Sequence, residues 1–458
     1  MKPNLKEISN WGNYPKISAQ VYKPRTLDEV STFIQNCKNQ NLTFVASGNM
    51  RCYGDANLSP ISLSLLELNK WITFDREKGV IKVQSGVLLR DILQTIVPAG
   101  FFLPVTPGTN LITIGGAVAS DVHGKNHHKE GCISSFVLSM GIADESGEIL
   151  ICNPSQNQEL FWSTFGGMGL TGVVCWVELK LKRIETTYIK QEAIQCQNLK
   201  EIFHELEASE NWTYTVAWID CLQSGKNLGR SILLRGEHAR LDELPKEKST
   251  DPLSVSKGLT LNVPFYFPSF VLNKWTVKAF NFLYFYKQLT RFKSSLVSYV
   301  GFFYPLDAIS SWNRIYGKKG FIQYQMVIPK NHGEAGMKEL LAAISKSGNA
   351  SFLAVLKLFG KSNPNTFNAF PQEGYTLALD FKINKTLPNL VRTLDSIVMK
   401  YGGRIYRAKD SMSNPKLTDY LQNTKQEVFD SDQNRRIKNL KLFQIKNQNH
   451  ETTLDIRD

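Results

Sequence analysis

The sequence predicts an α+β fold of two domains. The chain has 458 residues, and a single hydrophobic core rarely grows beyond about 250–300 residues. Residues 1–185 read as short strands mixed with a few helices. In the second half, strand patterns alternate with helical patterns, which indicates a sheet with helices on one face.

The N-terminal half contains a helix whose start is marked by a capping pattern. Thr26 is the predicted N-cap, with Glu29 three residues further on. Val30, Phe33 and Ile34 then follow at helical spacing. We predict further strands at 43–46, 61–65, 79–87, 135–143 and 148–152, and helices at 88–97 and 157–165.

The second half combines regular patterns with one unusual aromatic segment. Strands are predicted at 321–328, 352–358 and 375–383, and helices at 336–347 and 387–401. Residues 263–304 are dense in aromatic side chains, which indicates either packed core or an apolar wall that contacts a membrane. We expect residues 219–256 to be mobile, because they carry turn signals and charge, and the polar end of the chain, 447–458, to be disordered.

Charge and cysteine content limit the function classes. The net charge of +13 favours anionic ligands or an anionic membrane surface. Nucleic acid is not favoured, because the Lys and Arg residues are scattered and no zinc-finger or RNA-binding motif is present. Seven cysteines without a C-x-x-C pair fit reduced thiols in a cytosol-facing protein. The first residues hold no apolar run, so we expect no secretory signal and a cytoplasmic protein.

The polar, glycine-rich stretch 104–131 is the strongest candidate for a ligand site. Gly108 and the pair Gly115 and Gly116 let the backbone approach a ligand closely, since glycine lacks Cβ. Exposed N–H groups in such turns form a concavity for phosphate oxygens. The run from Asp121 to His128 that follows is too polar for a core helix, so the stretch supplies both a phosphate cradle and ionisable groups. Residues 47–55 repeat the arrangement, with a polar glycine loop after a strand.

A second glycine motif matches a dinucleotide-binding pattern in its letters but not in its structural context. Residues 167–172 contain a literal G-x-G-x-x-G, but a helical pattern precedes the motif and a strand pattern follows it. The dinucleotide fingerprint needs the opposite order. We therefore reject a nicotinamide-binding Rossmann domain.

Two clusters carry ionisable side chains. His123, His127 and His128 would form a metal site only with further ligands, and none is evident, which leaves a structural role or a cofactor-and-substrate site. In the second cluster, Tyr406 and Lys409 follow a double glycine and are possible proton acceptors or charge stabilisers. The alternative for this second cluster is a solvated basic strand.

Several of these motifs together resemble a known family. ASDVHGKNHHKEG at 119–131, with PVTPGTNLITIGGAVA before it, LFWSTFGGMGLTGVV after it and GGRIYRAKDS at 402–411, is similar to the decaprenylphosphoryl-β-D-ribose oxidase family. That family lies in the vanillyl-alcohol-oxidase-like class of FAD enzymes. The resemblance covers most of residues 15–412 and fades in the tail.

The resemblance implies a fold, a cofactor and a reaction. It implies a PCMH-type FAD-binding domain at 1–185, a substrate domain of antiparallel sheet covered by helices at 186–403, and a segment at 404–458 that returns to the FAD domain. FAD would be non-covalent, since Arg51 stands where covalent members carry histidine. The enzyme would oxidise the 2-hydroxyl of a ribosyl phosphopolyprenol to the 2-keto sugar by hydride transfer to flavin. This is the first half of a ribose-to-arabinose epimerisation that a separate NAD(P)H-dependent keto-reductase completes. Peripheral attachment to the inner face of the membrane would follow from the lipid substrate.

The resemblance also assigns residues. Lys409, Tyr406 and His123 would be catalytic. The cofactor would be held by Gly48, Arg51, Cys52, Tyr53, Gly54, Asp55, Gly108, Thr109, Thr113, Gly115, Gly116, Ser120, His123, Gly124, Asn126, Val173 and Tyr406. The substrate would meet Tyr53, Lys125, Gln325, Lys357, Thr376 and Lys409.

Four departures from the family pattern leave alternatives open. Met50 replaces a glycine and Cys52 a serine in the first loop, Thr376 replaces an asparagine, and Ala378 stands at a cysteine position. The substrate could therefore differ from the decaprenyl compound. An aldonolactone or other sugar-alcohol oxidase of the same FAD fold is the alternative enzyme, and a phosphate- or metal-binding module is the alternative outside enzymes.

Overall fold

The computed structural model describes residues 1–255, 260–421 and 428–439. Helices and mostly antiparallel sheets share the chain, which confirms the predicted α+β class. The predicted disorder at 447–458 lies outside the described residues. Within those residues, no helix combines the length and apolar character that a bilayer crossing needs.

The first sheet contains the N-terminal strands. Its members are β1 (Asn4–Ser9), β2 (Lys16–Tyr22), β3 (Val45–Ser47) and β4 (Ile61–Ser64). Their order is β1-β2-β4-β3, with β4 parallel to both β2 and β3. Helix α1 (Leu27–Asn39) connects β2 to β3 and begins as predicted, since Thr26 Oγ1 accepts the N–H of Glu29 at 3.2 Å. Its apolar face, which includes Phe33 and Ile34, is buried.

The second sheet has the order β5-β6-β10-β8-β9, and β7 pairs separately with β11. Its strands and this pair are β5 (Trp71–Asp75), β6 (Val80–Gln84), β7 (Phe101–Phe102), β8 (Val137–Ala143), β9 (Ile149–Cys152), β10 (Val173–Lys180) and β11 (Lys182–Arg183). The helices are α2 (Leu89–Ile96), α3 (Ile114–Ala119), α4 (His127–Glu130) and α5 (Gln158–Thr164). Since α5 precedes the glycine motif at 167–172 and β10 follows it, the order is the reverse of a dinucleotide-binding turn.

The third sheet has eight strands in the order β16-β12-β14-β13-β19-β20-β18-β21. The strands from here to the C-terminus are β12 (Tyr188–Cys196), β13 (Tyr214–Ile219), β14 (Ser231–His238), β15 (Leu261–Asn262), β16 (Phe292–Ser298), β17 (Ile309–Ser310), β18 (Phe321–Pro329), β19 (Ala354–Phe359), β20 (Gly374–Lys382) and β21 (Arg404–Ile405). The helices are α6 (Leu199–Ala208), α7 (Lys246–Ser249), α8 (Lys274–Tyr286), α9 (Tyr299–Phe303), α10 (Gly333–Ser347), α11 (Leu387–Lys400) and α12 (Pro415–Thr418).

Alternation along β18 separates the two faces of this sheet. Tyr324 and Met326 belong to the apolar core under α6, α10 and α11. Gln323 and Gln325 therefore project to the opposite face, because successive side chains of a strand alternate. Helices cover one face, as predicted, and the other face is left for the site.

Two expectations about 219–304 need revision. The expected mobility of 219–256 is wrong for β14, which pairs along its length with both β12 and β13. The signal was weak because Arg235 and Gly236 interrupt the apolar run of this strand. The aromatic segment 263–304 is neither wholly core nor wholly surface, since Phe302 and Phe303 are buried whereas Phe270 and Trp275 are about three-quarters exposed.

The last described segment, 428–439, lies against the first sheet. The N–H of Phe44 donates to the carbonyl of Val428 at 3.0 Å, and the N–H of Asp430 donates to the carbonyl of Phe44 at 2.9 Å. A helix then spans 432–439. The domain boundaries at 185 and 403 stay a prediction.

Candidate active site

Two glycine-rich loops, the first loop (residues 48–57) and the second loop (residues 108–124), touch each other. A Cβ on Gly48 would lie 2.3 Å from Thr113 Oγ1, so glycine is needed for this approach. Thr113 caps α3, since its Oγ1 accepts the N–H of Gly116 at 3.2 Å. The side chain of Asn49 donates to the carbonyl of Leu111 at 2.7 Å. The two predicted ligand loops therefore form one surface.

This surface fits a phosphate-bearing cofactor. The backbone N–H groups of residues 49–52 donate to no acceptor within the described ranges, and successive free N–H groups bind phosphate oxygens. A Cβ on Gly108 would meet nothing within 4 Å, and one on Gly116 would meet only Thr113 Oγ1 at 3.1 Å. The loops thus leave room beside their backbone where the sequence predicts FAD.

Several predicted cofactor residues have side chains committed to the protein itself. Thr109 donates its hydroxyl to Asp307 at 2.7 Å. Asn126 donates to the carbonyl of Pro104 at 2.7 Å and to Glu130. These contacts shape the second loop. Three more predicted cofactor residues are also engaged within the protein. Asp55 binds Arg436, and Val173 is fully buried. A Cβ added to Gly124 would lie 2.5 Å from Asn126 Oδ1.

Arg51, at the position where covalent members carry histidine, makes a cation–π contact. Its guanidinium carbon lies 4.0 Å from the centre of a ring of Trp11. Burial lowers the pKa of Arg51, while the nearby Asp307 opposes this shift. Arg51 therefore supplies positive charge beside the two loops.

The lysine turn, residues 406–410, follows β21 and faces the first loop. The N–H of Tyr406 donates to the carbonyl of Gln325 at 2.9 Å, and the N–H of Lys409 donates back to the carbonyl of Tyr406 at 2.9 Å. The turn places Lys409 Nζ 3.8 Å from the centre of the Tyr53 ring. Burial lowers the pKa of Lys409 to about 8, against smaller raising effects from Cys52 and Asp380. With this pKa, roughly a tenth of the amine is neutral at pH 7, and this fraction grows as the pH rises.

Tyr406 and His123 are held neutral next to this lysine. The hydroxyl of Tyr406 donates to the carbonyl of Ser120 at 2.8 Å, and burial raises its pKa well above the ordinary value. Nε2 of His123 lies 3.0 Å from Nε2 of Gln325 and accepts its amide hydrogen. Burial, followed by the charge of Lys357, lowers the pKa of His123 well below its usual value. Neither group is an effective proton acceptor from substrate at neutral pH. The catalytic roles of Tyr406, His123 and Lys409 stay a prediction.

Lys125, Lys357 and Lys409 are half-buried and form a cationic cluster. Burial, with repulsion from Lys357, lowers the pKa of Lys125 to about 7. Burial, with repulsion from Lys409, lowers the pKa of Lys357 to about 8. Lys125 Nζ donates to the carbonyl of Phe302, in the aromatic segment. An anionic group placed among these amines would relieve their repulsion.

The remaining predicted substrate residues lie on the free face of the eight-stranded sheet. Gln325 on β18 is opposite Ala378 on β20, and Lys357 on β19 is opposite Thr376. Gln325 donates to Thr376 Oγ1 at 3.3 Å. Three strands distant in sequence thus bring Gln325, Lys357 and Thr376 to one patch beside the lysine turn.

Three residues at the site were not predicted. Asp380 is fully buried and accepts hydrogen bonds from Gln323 at 2.6 Å and Tyr316 at 3.2 Å. Alternation along β20 from Ala378 could have found it, because Asp380 lies two residues further on. No sequence pattern marked Asp307 or Arg436 as a site residue. Asp307 contacts the second loop and Arg436 the first loop, and both contacts join residues far apart in the chain.

Metal ligation has no support within the described residues, which contain no group of three or more His, Cys, Asp or Glu able to hold an ion. The ring centres of His123 and His127 are 6.4 Å apart. His128 instead bonds the carbonyl of Trp212 at 2.8 Å. All seven cysteines are free thiols.

Comparison with known proteins identifies the first part of the chain and its family. Residues 18–153 match the model of an FAD-binding domain family. The chain is 34% identical over 412 residues to decaprenylphosphoryl-beta-D-ribose oxidase of Mycolicibacterium smegmatis, which covers 89% of each chain. More distant relatives are L-gulonolactone oxidase of Bos taurus, 24% identical over 44% of this chain and 46% of the relative, and D-arabinono-1,4-lactone oxidase of Candida glabrata, 22% identical over 44% of this chain and 40% of the relative.

The match along nearly the whole chain excludes the binding-module alternative and confirms FAD as the cofactor. The glycine loops fit that cofactor independently of the comparison. The chain is an FAD-dependent oxidoreductase and belongs to the decaprenylphosphoryl-beta-D-ribose oxidase family.

Proposed function

We propose that this enzyme oxidises the 2-hydroxyl of a ribosyl phosphopolyprenol to the 2-keto sugar. The observation that carries the proposal is the cluster of Lys125, Lys357 and Lys409 beside the two loops. A phosphodiester would be bound there by ammonium groups whose repulsion it relieves. An aldonolactone has no negative charge to offer at this position.

The residues divide the chemistry among themselves. FAD, when bound, supplies the two-electron acceptor that oxidation of a CH–OH group requires. Lys409 in its neutral form takes the hydroxyl proton at Nζ. Lys125 and Lys357 hold the phosphate. Tyr406 and His123 position their surroundings, the first by a hydrogen bond to the carbonyl of Ser120 and the second by a hydrogen bond with Gln325.

FAD binding is proposed to be non-covalent. Arg51 occupies the position of the histidine that forms the covalent link in other members of the class, and its guanidinium is held against Trp11. Acid precipitation of the protein is expected to release all of the flavin into the supernatant.

We also propose that the protein attaches peripherally to a membrane through an aromatic face, formed by exposed side chains of 265–292. Six large apolar side chains of this face are each more than half exposed: Phe265, Phe270, Trp275, Phe282, Leu283 and Leu289. Residues 260–306 contain five Lys or Arg and no Asp or Glu. Aromatic residues mixed with cations suit the surface of an anionic bilayer.

The aromatic face is connected to the site along the chain. Helix α8 buries Val277, Asn281 and Phe285 and leaves its other side exposed. Further on, Phe302 accepts the hydrogen bond of Lys125, and Asp307 binds the second loop. A lipid substrate could thus leave its polyprenyl chain in the membrane while its sugar phosphate enters the pocket.

The product implies a second enzyme. A 2-keto sugar needs hydride at the same carbon to complete a ribose-to-arabinose epimerisation, so an NAD(P)H-dependent keto-reductase is the proposed partner activity.

Substrate-driven bleaching tests the proposal. The purified protein is expected to be yellow, and a ribosyl phosphopolyprenol should bleach the flavin under anaerobic conditions. An aldonolactone of equal concentration serves as the comparison. Bleaching by the lactone alone would establish the alternative sugar-lactone oxidase and exclude the proposed substrate.

A further inference from the structure

Arg436, in the helix at 432–439, forms a buried ion-pair bridge between two parts of the site. Its Nε and one Nη lie 2.8 and 3.0 Å from the two carboxylate oxygens of Asp55 in the first loop. The same Nη lies 2.7 Å from Asp410, which follows Lys409 in the lysine turn. The side chain of Asp410 is fully buried and that of Asp55 is 5% exposed. One guanidinium therefore joins the first loop to the lysine turn.

The two parts that it joins are in direct backbone contact. A Cβ on Gly54 would lie 1.6 Å from the carbonyl oxygen of Asp410, so no other residue fits at Gly54 without separating them. The N–H of Tyr53 donates to the carbonyl of Ala408 at 3.2 Å. The contact of Lys409 with the Tyr53 ring depends on this same arrangement.

The neighbouring residue Gln433 strengthens the connection. Its amide donates to the carbonyl of Arg407 at 2.7 Å and to that of Asp410 at 3.2 Å. The N–H of Gln433 meets the carbonyl of Asp55 at 3.3 Å. The helix at 432–439 thus contacts each of the two parts through both Gln433 and Arg436.

The charges require an arginine at this place. Burial raises the pKa of Asp55, and Arg436 opposes that shift. For Asp410, burial also favours protonation, but Arg436 and Ser413 outweigh it, so that the pKa lies below its usual value. Without Arg436, both buried carboxylates would lose their ion pair and keep only the charge interaction with the buried Arg407, so they would protonate or move apart.

We propose that Arg436 is a positioning residue, which locks the first loop to the lysine turn and thereby sets both FAD retention and the place of Lys409. The part that concerns Lys409 rests on the proposed function. The part that concerns FAD retention rests only on the cofactor.

The test compares Arg436→Met with Arg435→Met. Arg435 lies on the same helix, but it binds Asp430, Asp432 and Ser59 rather than the site. FAD release is followed after dilution of the holoenzyme, from the rise of free-flavin fluorescence. We expect Arg436→Met to release FAD at least about tenfold faster than wild type, and Arg435→Met to stay within about twofold. In molecules that retain FAD, substrate-driven bleaching at saturating substrate should also slow about tenfold.

Rescue separates positioning from general stability. The side chain of Arg436 is 20% exposed, so guanidinium ion can reach the space vacated in Arg436→Ala and should slow FAD release again. Arg436→Lys keeps the charge but not the fork that spans two carboxylates, and should be intermediate. If Arg436→Met does not fold, Arg436→Lys is compared with Arg435→Lys by the same two measurements.

Equal behaviour of the Arg436 and Arg435 variants would overturn the proposal, whether both resemble wild type or both lose FAD. Failure of wild type to be bleached by the phosphopolyprenol would refute the proposed function alone, since FAD release needs no substrate. Accelerated FAD release with an unchanged bleaching rate would overturn the claim about Lys409.

Discussion

At the residue scale, the site is governed by three half-buried lysine amines that make no ion pair with a carboxylate within the described residues. Burial disfavours the charged forms of Lys125, Lys357 and Lys409, and repulsion from a neighbouring lysine adds to this at Lys125 and Lys357, so the pKa of each is lowered. The charge of Asp380 raises the pKa of Lys409, but burial raises the pKa of Asp380 itself to about 7. The lysine cluster therefore has little negative charge beside it until an anionic ligand binds.

This arrangement predicts opposite pH dependences for binding and for turnover. The pKa of Lys125 is lowered to about 7 and that of Lys357 to about 8, so both amines are protonated below these values and bind a phosphodiester best there. Lys409, with its pKa lowered to about 8, takes a proton only in its neutral form, which grows as the pH rises through 8. We expect KM and kcat both to rise between about pH 6 and about pH 9.

Steady-state kinetics over this range provide the measurement, with an uncharged lactone or sugar as the comparison substrate. The KM for the uncharged compound should vary little with pH. A kcat that falls as the pH rises through 8 would contradict the role of Lys409 as proton acceptor.

Replacement of Lys409 by Met is expected to separate chemistry from cofactor binding. The first loop keeps its contacts with Ala408 and Asp410, so FAD should remain bound, whereas flavin reduction should fall about 10²–10⁴-fold without the proton acceptor. Rapid-mixing measurement of flavin bleaching gives the rate. Lys338→Met, on the exposed side of α10, is the matched control and should reduce at the wild-type rate. Wild-type reduction in Lys409→Met would remove this lysine from the mechanism.

At the element scale, strands and helices with a regular apolar pattern could be predicted from the sequence. Elements that depend on contacts between distant parts of the chain could not. Helix α1 begins at its predicted cap because Thr26 and Glu29 are local partners. Strand β14 was missed, because what stabilises it is pairing with β12 and β13 rather than its own alternation. The helix at 432–439 had no local signal, since its polar side chains meet the first loop instead of an apolar core.

The backbone of the first loop explains why the family pattern has glycine where this chain has Met50. Met50 has φ of 50°, in the left-handed region that glycine adopts without strain. The side chain packs against the apolar cluster that includes Val21 and Leu58, and its sulfur accepts a hydrogen bond from the amide of Asn57 at 3.5 Å. Packing thus offsets a conformational cost of about 1 kcal/mol, and the loop keeps the backbone form that the family pattern predicts.

Alanine at two loop glycines should give distinct results. Gly54→Ala drives a Cβ against the carbonyl of Asp410, so the apoprotein should lose about 1–3 kcal/mol of stability or more, and FAD should be lost with it. Gly108→Ala meets no protein atom within 4 Å, so the stability of the apoprotein should be unchanged while FAD affinity falls. Thermal unfolding without FAD and FAD titration measure the two effects. Equal FAD affinity in Gly108→Ala and wild type would show that the cofactor lies away from Gly108.

At the scale of the whole molecule, the site is assembled from three distant parts of the chain. The first and second loops were recognised from their glycines, and Lys409 from its place after a double glycine, to which the resemblance added its assignment as catalytic. Their proximity could not be read from periodicity, because it depends on β18 and β21 placing the lysine turn at the edge of the sheet. The roles of the individual site residues stay a prediction, which the kinetics of the Lys409 variant and the FAD affinity of the glycine variants test.

The aromatic face predicts binding to anionic membranes. We expect the protein to sediment with vesicles that contain phosphatidylglycerol and much less with phosphatidylcholine alone, and added salt should weaken the binding. Replacement of Trp275, Phe282 and Leu283 by serine removes three exposed apolar side chains from α8. Vesicle affinity should fall by more than about tenfold, since each large side chain contributes about 1.5–3 kcal/mol when fully buried.

A second triple variant distinguishes this face from exposed apolar surface in general. Leu5, Ile72 and Ile151 are also exposed, but they lie on strands of the two N-terminal sheets. Serine at these three positions should leave vesicle binding unchanged, and both variants should keep their FAD because none of the six side chains lies in the core. Wild-type vesicle affinity in the α8 variant, or an equal loss in the strand variant, would refute membrane attachment through the aromatic face. We expect the α8 variant to lose vesicle affinity while it still oxidises a short-chain, water-soluble phosphosugar. That result would show that the aromatic face gives access to the lipid substrate and that the chemistry does not depend on it.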